Sequence, residues 1–345
     1  MGFGGNVGGY FDERRLAKLL SNHFGTKHRE FEVQPDAQRI IEDIVRAFDE
    51  PFADDSVIPS YYLSKITREN VTVSLSGLGG DEVFGGYERY LGFKLSNIYE
   101  MVPEFFREKI IRKTVETLPE RMDGHYTVNH LKRFVRAACL PYGSRYFEFI
   151  SMVNQNKHID IFAEPDAMIE HFSNCRQTHL DLYGSAQAEN PLDKVFYTDI
   201  KSYLPDDILA LTDRVSMMHS LEVRVPFIDH KVMEFCATIP NKMKIRGKTK
   251  KYLLRRGAAN YIPHEILNHR KQGFASPMTQ WINSDLKEYI KEVLSKKNIE
   301  RSGVLNYHKV QNILEEHFNR VEIHDKLIWS LVIFQTWHSL YMKEY

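Results

Sequence analysis

Cysteine is scarce in this chain: Cys139, Cys175 and Cys236 are the only three in 345 residues, far apart and odd in number. That disfavours a disulfide framework and a zinc site of short paired spacings, and it suits a reducing, cytoplasmic setting. Net charge is missing too. Lys plus Arg is 46 and Asp plus Glu is 46, so the total gives no argument for nucleic acid or an anionic membrane as partner. Long apolar runs are lacking: the most apolar late stretch, Leu327 to Phe334, is far shorter than the roughly 20 residues that span a bilayer and reads as a buried helix. The opening MGFGGNVGGYFDERR has no apolar core of signal-peptide length, and Asp12 and Glu13 disfavour a mitochondrial presequence. No repeat of fixed period stands out. What remains, 43% apolar and 27% charged residues, is the composition of a globular protein with an ample core.

Helix-like and strand-like segments alternate over the first ~90 residues, the pattern of an α/β layer. Asp12 to Phe24 carries Leu16, Leu19, Leu20 and Phe24 at helical spacing and ends at Gly25, a natural helix terminator. His28 to Val33 reads as a short strand, Gln38 to Phe48 as a helix through Ile40, Ile41, Ile44, Val45 and Phe48, and Pro59 precedes another helix through Ile66. Leu91 to Tyr197 is helical in period throughout, and its basic run Glu104 to Lys113 reads as a solvated face. The expected organisation is an α/β, nucleotide-binding portion over 1–90, a helical insertion over 91–200 and a mostly helical portion over 201–345 that completes the site.

The most informative stretch is VTVSLSGLGGDEVFGGYERY, from Val71 to Tyr90. Val71, Val73 and Leu75 alternate with Thr72 and Ser74, as in a half-buried strand, and Ser76-Gly77-Leu78-Gly79-Gly80 supplies a turn that tolerates positive φ and close backbone approach. From Asp81 the pattern turns helical for about two turns, and a helix start offers free N–H groups to an anion. Asp81 and Glu82 would repel a polyphosphate, a conflict that a divalent cation, ordinarily magnesium, removes. The plainer reading is a strand-to-helix turn whose Asp81 caps the helix.

A second constellation, LPDDILALTDRVSMMHSLEVRVPFID, spans Leu204 to Asp229. Asp213 and Arg214 interrupt an apolar helical pattern, so they are either used or paired, as Asp213–Arg214 or Arg214–Glu222. Alternation points Glu222 and Arg224 to one face of an extended segment. A third, basic cluster holds Lys248, Lys250, Lys251, Arg255 and Arg256, with Thr249 as a cap, and is followed by Lys271 in a loop closed by Gly273. Arg255 and Arg256 suit a helix C-terminal end. Lys271 is either an exposed surface lysine or a cation reaching a phosphate.

Together, DEPFADDSVIPSYYLS from Asp49, SLSGLGGDEVFGGYERY from Ser74, YLPDDILALTDRVSMMHSLEVRVPFIDH from Tyr203 and KYLLRRGAANYIPHEILNHRKQGFASP from Lys251 closely resemble the synthetase domain of the glutamine-dependent asparagine synthetases and their amidotransferase relatives, over nearly the whole chain. The resemblance implies an α/β fold of the adenine-nucleotide alpha-hydrolase-like, ATP-pyrophosphatase type: a parallel sheet layer, truncated at its N-terminus, with a large mostly helical remainder. It implies adenylation of aspartate by Mg-ATP, with ammonia from a glutaminase domain or partner chain displacing AMP. Carried over by position, Ser76 and Gly77, with Leu78, Gly79 and Gly80 of the same turn, would cradle the nucleotide, and Asp81 would hold Mg2+. Arg214 would bind phosphate, Lys271 would stabilise charge on the α-phosphoryl group, and Glu222 would lie near the reacting carboxyl group. Partners would be aspartate or another small carboxylate, with no nucleic acid, no membrane and a possible homo-oligomer.

Two departures accompany these matches. The family's SGGxDS loop occurs nowhere in the chain, and Gly2 to Gly9 lacks the Ser, Asp and following helix that a replacement would use. The Cys-initiated glutaminase half is missing as well, since residue 2 is glycine. The expectation is a truncated or split chain, a poor catalyst alone, with an apolar strand edge exposed near Met1. Amidation of another carboxylate, as in polysaccharide biosynthesis, and a non-catalytic subunit are the competing readings.

Overall fold

The computed structural model describes residues 2–3, 13–33, 36–118, 127–152, 155–269 and 276–342. Two compact units divide the chain, one of Met1–Gly86 with Asp206–Trp281 and the other of Tyr87–Pro205 with Ile282–Tyr345. Helices dominate both, and among the described residues no helix is long and apolar enough to cross a membrane.

Among the described residues of the first unit, four short strands make two parallel pairs and no continuous layer. Strand β1 (Gly2–Phe3) pairs with β2 (Glu32–Val33), and β3 (Val73–Leu75) pairs with β4 (Glu222–Arg224) in the register Val73↔Glu222, Ser74↔Val223, Leu75↔Arg224. Parallel pairing is as the α/β reading expects, whereas His28 to Val33 yields strand only at its last two residues.

Helix α1 (Arg14–Phe24) ends as read from the sequence, with Gly25 at φ 63° and its N–H on the Ser21 carbonyl. Its apolar stripe is only partly covered, and Phe24 stays exposed. Helix α2 (Ala37–Phe48) starts where the Asp36 carboxylate accepts from the Arg39 N–H at 3.1 Å and buries Ile40, Ile41, Ile44, Val45 and Phe48. That stripe recurs every three or four residues, the spacing that keeps one helix face turned inward. Helix α3 (Val57–Arg68) carries Pro59 in its first turn, where a missing N–H costs nothing.

Strand β3 departs from expectation. Val71, Val73 and Leu75 are exposed, Leu75 at 75%, so the apolar side of the alternation faces solvent instead of a core. Alternation fixes which residues share a face; whether anything packs there depends on the neighbours.

The second unit is a helical assembly, as the period over 91–197 indicates. Its basic segment around Phe106–Arg112 lies at the surface, with Arg112 bridging Glu108 and Glu116. The helix Asp325–Tyr341 buries Leu327, Ile328, Trp329, Leu331, Val332 and Ile333, so Leu327 to Phe334 is a core helix; Phe334 and Trp337 are half-buried. Arg145 is 1% exposed and compensated by Ser96 Oγ at 2.8 Å, Asn97 Oδ1 at 3.0 Å, the Leu140 carbonyl and the Glu100 carboxylate. A buried guanidinium tolerates desolvation only with such partners.

A second buried charge lies in the same unit. Asp199 Oδ2 accepts from Arg89 Nη2 at 2.8 Å and from the Tyr90 hydroxyl at 2.5 Å, while Arg89 Nε also donates to the Tyr146 hydroxyl at 3.0 Å. The guanidinium lies between two rings, 3.9 Å from the Tyr87 centroid and 4.4 Å from that of Tyr203. Burial, and then the Asp199 carboxylate, raises the Tyr90 and Tyr146 phenols well above their ordinary range, so both keep their protons.

Candidate functional site

The glycine-rich turn leaves β3 tied to its neighbour, because the Ser76 N–H donates to the Arg224 carbonyl at 2.8 Å. The Ser76 hydroxyl accepts from the Leu78 N–H at 3.4 Å, and the Gly80 N–H reaches the Gly77 carbonyl at 3.4 Å. Helix α4 (Gly80–Phe84) follows, bounded by Gly79 at φ 79° and Gly85 at φ 70°. It is five residues long, shorter than the two turns expected, so its end carries little dipole for an anion.

The glycines serve different ends. A Cβ on Gly79 would lie 2.3 Å from Ile228 Cγ2, and one on Gly80 would lie 3.2 Å from the Phe227 ring, so these two let the turn close against the 3-10 turn Pro226–Ile228. A Cβ on Gly77 would meet nothing within 4 Å, which leaves its backbone open to a ligand. Gly79→Ala combines an unfavourable positive φ with that clash and is expected to destabilise the unit by about 1–3 kcal/mol, read as a lower urea midpoint. An unchanged midpoint would mean that the 226–228 turn yields freely.

Asp81 is not the helix cap. The N-cap position belongs to Gly79, and Asp81 Oδ1 lies 3.1 Å from the Lys251 ammonium. The two side chains meet over Gly86, where a Cβ would fall 1.8 Å from Asp81 Oδ1 and 2.4 Å from Lys251 Cε. Lys251 precedes the helix Tyr252–Ala258 in a left-handed conformation, φ 50°, which a lysine adopts at a cost. Thr249 makes no cap there. Both members of the pair are partly accessible, at 20% and 25% of their side-chain surface. The carboxylate and the ammonium thus form a partly accessible ion pair held over Gly86.

Arg214 lies elsewhere, on the helix Ala210–Met218, where its Nη1 donates to the Ala47 and Phe48 carbonyls at 2.9 and 3.1 Å. It caps the C-terminal end of α2, a position that favours cations, and forms neither of the ion pairs that the sequence suggests. Glu222 and Arg224 share one face of β4, as alternation requires, with Arg224 Nε 2.7 Å from Glu222 Oε1 and both half-exposed. Asp229 caps the helix His230–Thr238 by accepting from the Lys231 N–H at 2.9 Å. Lys271 and the Gly4 to Gly9 stretch lie outside the described residues.

The sequence reading missed Lys251 as the partner of Asp81. The lysine stood among Lys248 and Lys250 with nothing to mark it. Only the positive φ and the crossing at Gly86 set it apart, and neither is written in residue spacing.

Comparison with known proteins places the chain in a family. The family model described as Asparagine synthase matches residues 1–339. Asparagine synthetase [glutamine-hydrolyzing] 1 of Bacillus subtilis (strain 168) is 28% identical over 331 residues, covering 96% of this chain and 50% of that protein. A putative asparagine synthetase [glutamine-hydrolyzing] of Mycobacterium bovis is 27% identical over 341 residues, 96% of this chain and 49% of its own length. Amidase chyE of Penicillium rubens is 23% identical and covers 90% of the chain and 48% of itself. The chain thus spans about half the length of these relatives. With the match running through nearly every described element, from β1 to the last core helix, the chain belongs to the asparagine synthase family.

Proposed function

We propose that this chain carries the ATP-dependent half of an asparagine synthetase. In this reading the β-carboxylate of aspartate attacks the α-phosphorus of ATP; a carboxylate–phosphorus bond forms as the bond to pyrophosphate breaks. Ammonia then adds at the acyl carbon, loses a proton and expels AMP, leaving asparagine. The observation that carries it is the partly accessible Asp81–Lys251 ion pair, with Asp81 on the short helix that follows the open turn at Gly77. Aspartate is taken as acceptor because relatives spanning 96% of the chain are named asparagine synthetases.

A magnesium ion fits the donor chemistry, since it binds through one or two carboxylates plus substrate phosphate and water, and Asp81 offers one such carboxylate next to a cation that also suits phosphate. When bound it would supply charge neutralisation of the polyphosphate. The protein's own part is positioning: Ser76, Gly77, Leu78, Gly79 and Gly80 give backbone close to the nucleotide, Lys251 attracts the departing pyrophosphate, and Lys271 lowers the energy of the α-phosphoryl transition state. Glu222 is assigned the ammonia proton. These roles together make up the ATP-pyrophosphatase reading.

Two measurements test the reading. Mg-ATP should bind calorimetrically, with pyrophosphate as competitor, and the chain supplied with ammonia should form AMP and pyrophosphate in equal amounts only when aspartate is present. Release of ADP and phosphate, or stimulation by uronates and not aspartate, would overturn the assignment, as would the absence of Mg-ATP binding.

A further inference from the structure

The corner between the helices Tyr307–Phe318 and Asp325–Tyr341 gathers metal-binding groups far in sequence from the glycine-rich turn. Glu316, Glu322 and His324 present ligand atoms that all lie within 4.8 Å of one another. His324 Nε2 is 2.6 Å from Glu316 Oε2, and the Lys157 ammonium contacts both oxygens of Glu322. A second imidazole, His158, stands edge-on to His324 with ring centroids 5.5 Å apart.

The nitrogen ligand is fixed from behind. The His324 backbone N–H donates to His317 Nδ1 at 3.0 Å, and His317 Nε2 lies 3.1 Å from the Asn283 side-chain amide, both histidines being buried. The Val321 N–H returns to the Glu316 carbonyl at 2.8 Å, which folds Glu322 back over Glu316. By contrast the carboxylates are 44% exposed at Glu316 and 33% at Glu322, so they reach solvent. One rigid nitrogen with two adjustable oxygens, open on one side, is an arrangement that admits a metal ion and lets its ligands close on it.

We propose that Glu316, Glu322 and His324 bind a divalent transition-metal ion, zinc by preference, which clips the two helices together at this corner. The imidazole selects against magnesium and calcium, and two carboxylates balance the ion's charge. Zinc holds N and O ligands at about 2.0–2.2 Å, placing neighbouring donors roughly 3–4 Å apart. Rotation of the two glutamates closes the remaining gap. Lys157 competes for the same carboxylate, so removing its charge should tighten binding.

The test is calorimetric titration of the chelator-stripped chain with Zn2+, supported by the visible spectrum of the Co2+ form. One equivalent is expected to bind; Glu322→Gln should weaken it at least 10-fold and Lys157→Met should tighten it several-fold. Both positions are accessible, so folding survives either change, and far-ultraviolet circular dichroism checks that. His324→Gln should abolish the Co2+ nitrogen-ligand spectrum. Absence of Zn2+ binding at micromolar concentration, or binding indifferent to Glu322→Gln and Lys157→Met, would overturn the site.

Discussion

Asp81→Ala is expected to lower the proposed aspartate-dependent pyrophosphate release about 10²–10³-fold and to leave the fold intact. The size follows from removing one electrostatic contact to charge that develops in the transition state. Asp81 is the only carboxylate among the described residues that contacts Lys251, so its loss removes the proposed magnesium ligand and leaves Lys251 free to swing from the phosphate path. Stability should change by less than about 1 kcal/mol, since a partly exposed ion pair contributes that little. Pyrophosphate release and a urea melt on the same preparation separate the two effects. Lys271→Ala is expected to lower release to the same extent, because it removes the other cation assigned to the reacting phosphate. Unchanged release in either variant would remove that residue from the mechanism.

Asp199→Ala should cost about 3–5 kcal/mol of stability, well beyond the effect of an ordinary surface substitution. Its carboxylate is 1% exposed and receives Arg89 and Tyr90, so the alanine leaves a guanidinium and a phenol with nothing to balance them. Reorientation is blocked because Arg89 is held between the Tyr87 and Tyr203 rings. The urea midpoint reports the loss. A double replacement, Arg89→Met with Asp199→Ala, should recover part of it, since most of the penalty lies in the charge left behind. A loss below about 1 kcal/mol in the single variant would show that water satisfies Arg89 and that the cluster is open.

The elements that were legible in the sequence share one property: local pattern and local packing agree. Helix α2 is the example, with its Asp36 cap, five inward apolar residues and a left-handed stop at Asp49, φ 59°. The core helix 325–341 was likewise visible as a short, almost uncharged run. Strand β3 failed because period two says that Val71, Val73 and Leu75 share a side but not that this side finds a partner. Arg214 was readable as a charge needing partners, yet the partners are carbonyls of a helix far back in the chain, Ala47 and Phe48, which no spacing rule reaches.

By itself the sequence determined the family, the order of the motifs, most helices and the identity of the turn SGLGGD, because each rests on residue type and short-range spacing. Tertiary structure alone decided what those residues touch. It assigned Gly79 and Gly80 to close packing and Gly77 to open space, joined Asp81 to Lys251 across Gly86, and brought Glu316, Glu322 and His324 to one corner. The physical reason is range: backbone preference acts over a few residues, whereas Coulomb attraction and steric exclusion act through space between residues that the chain can hold far apart.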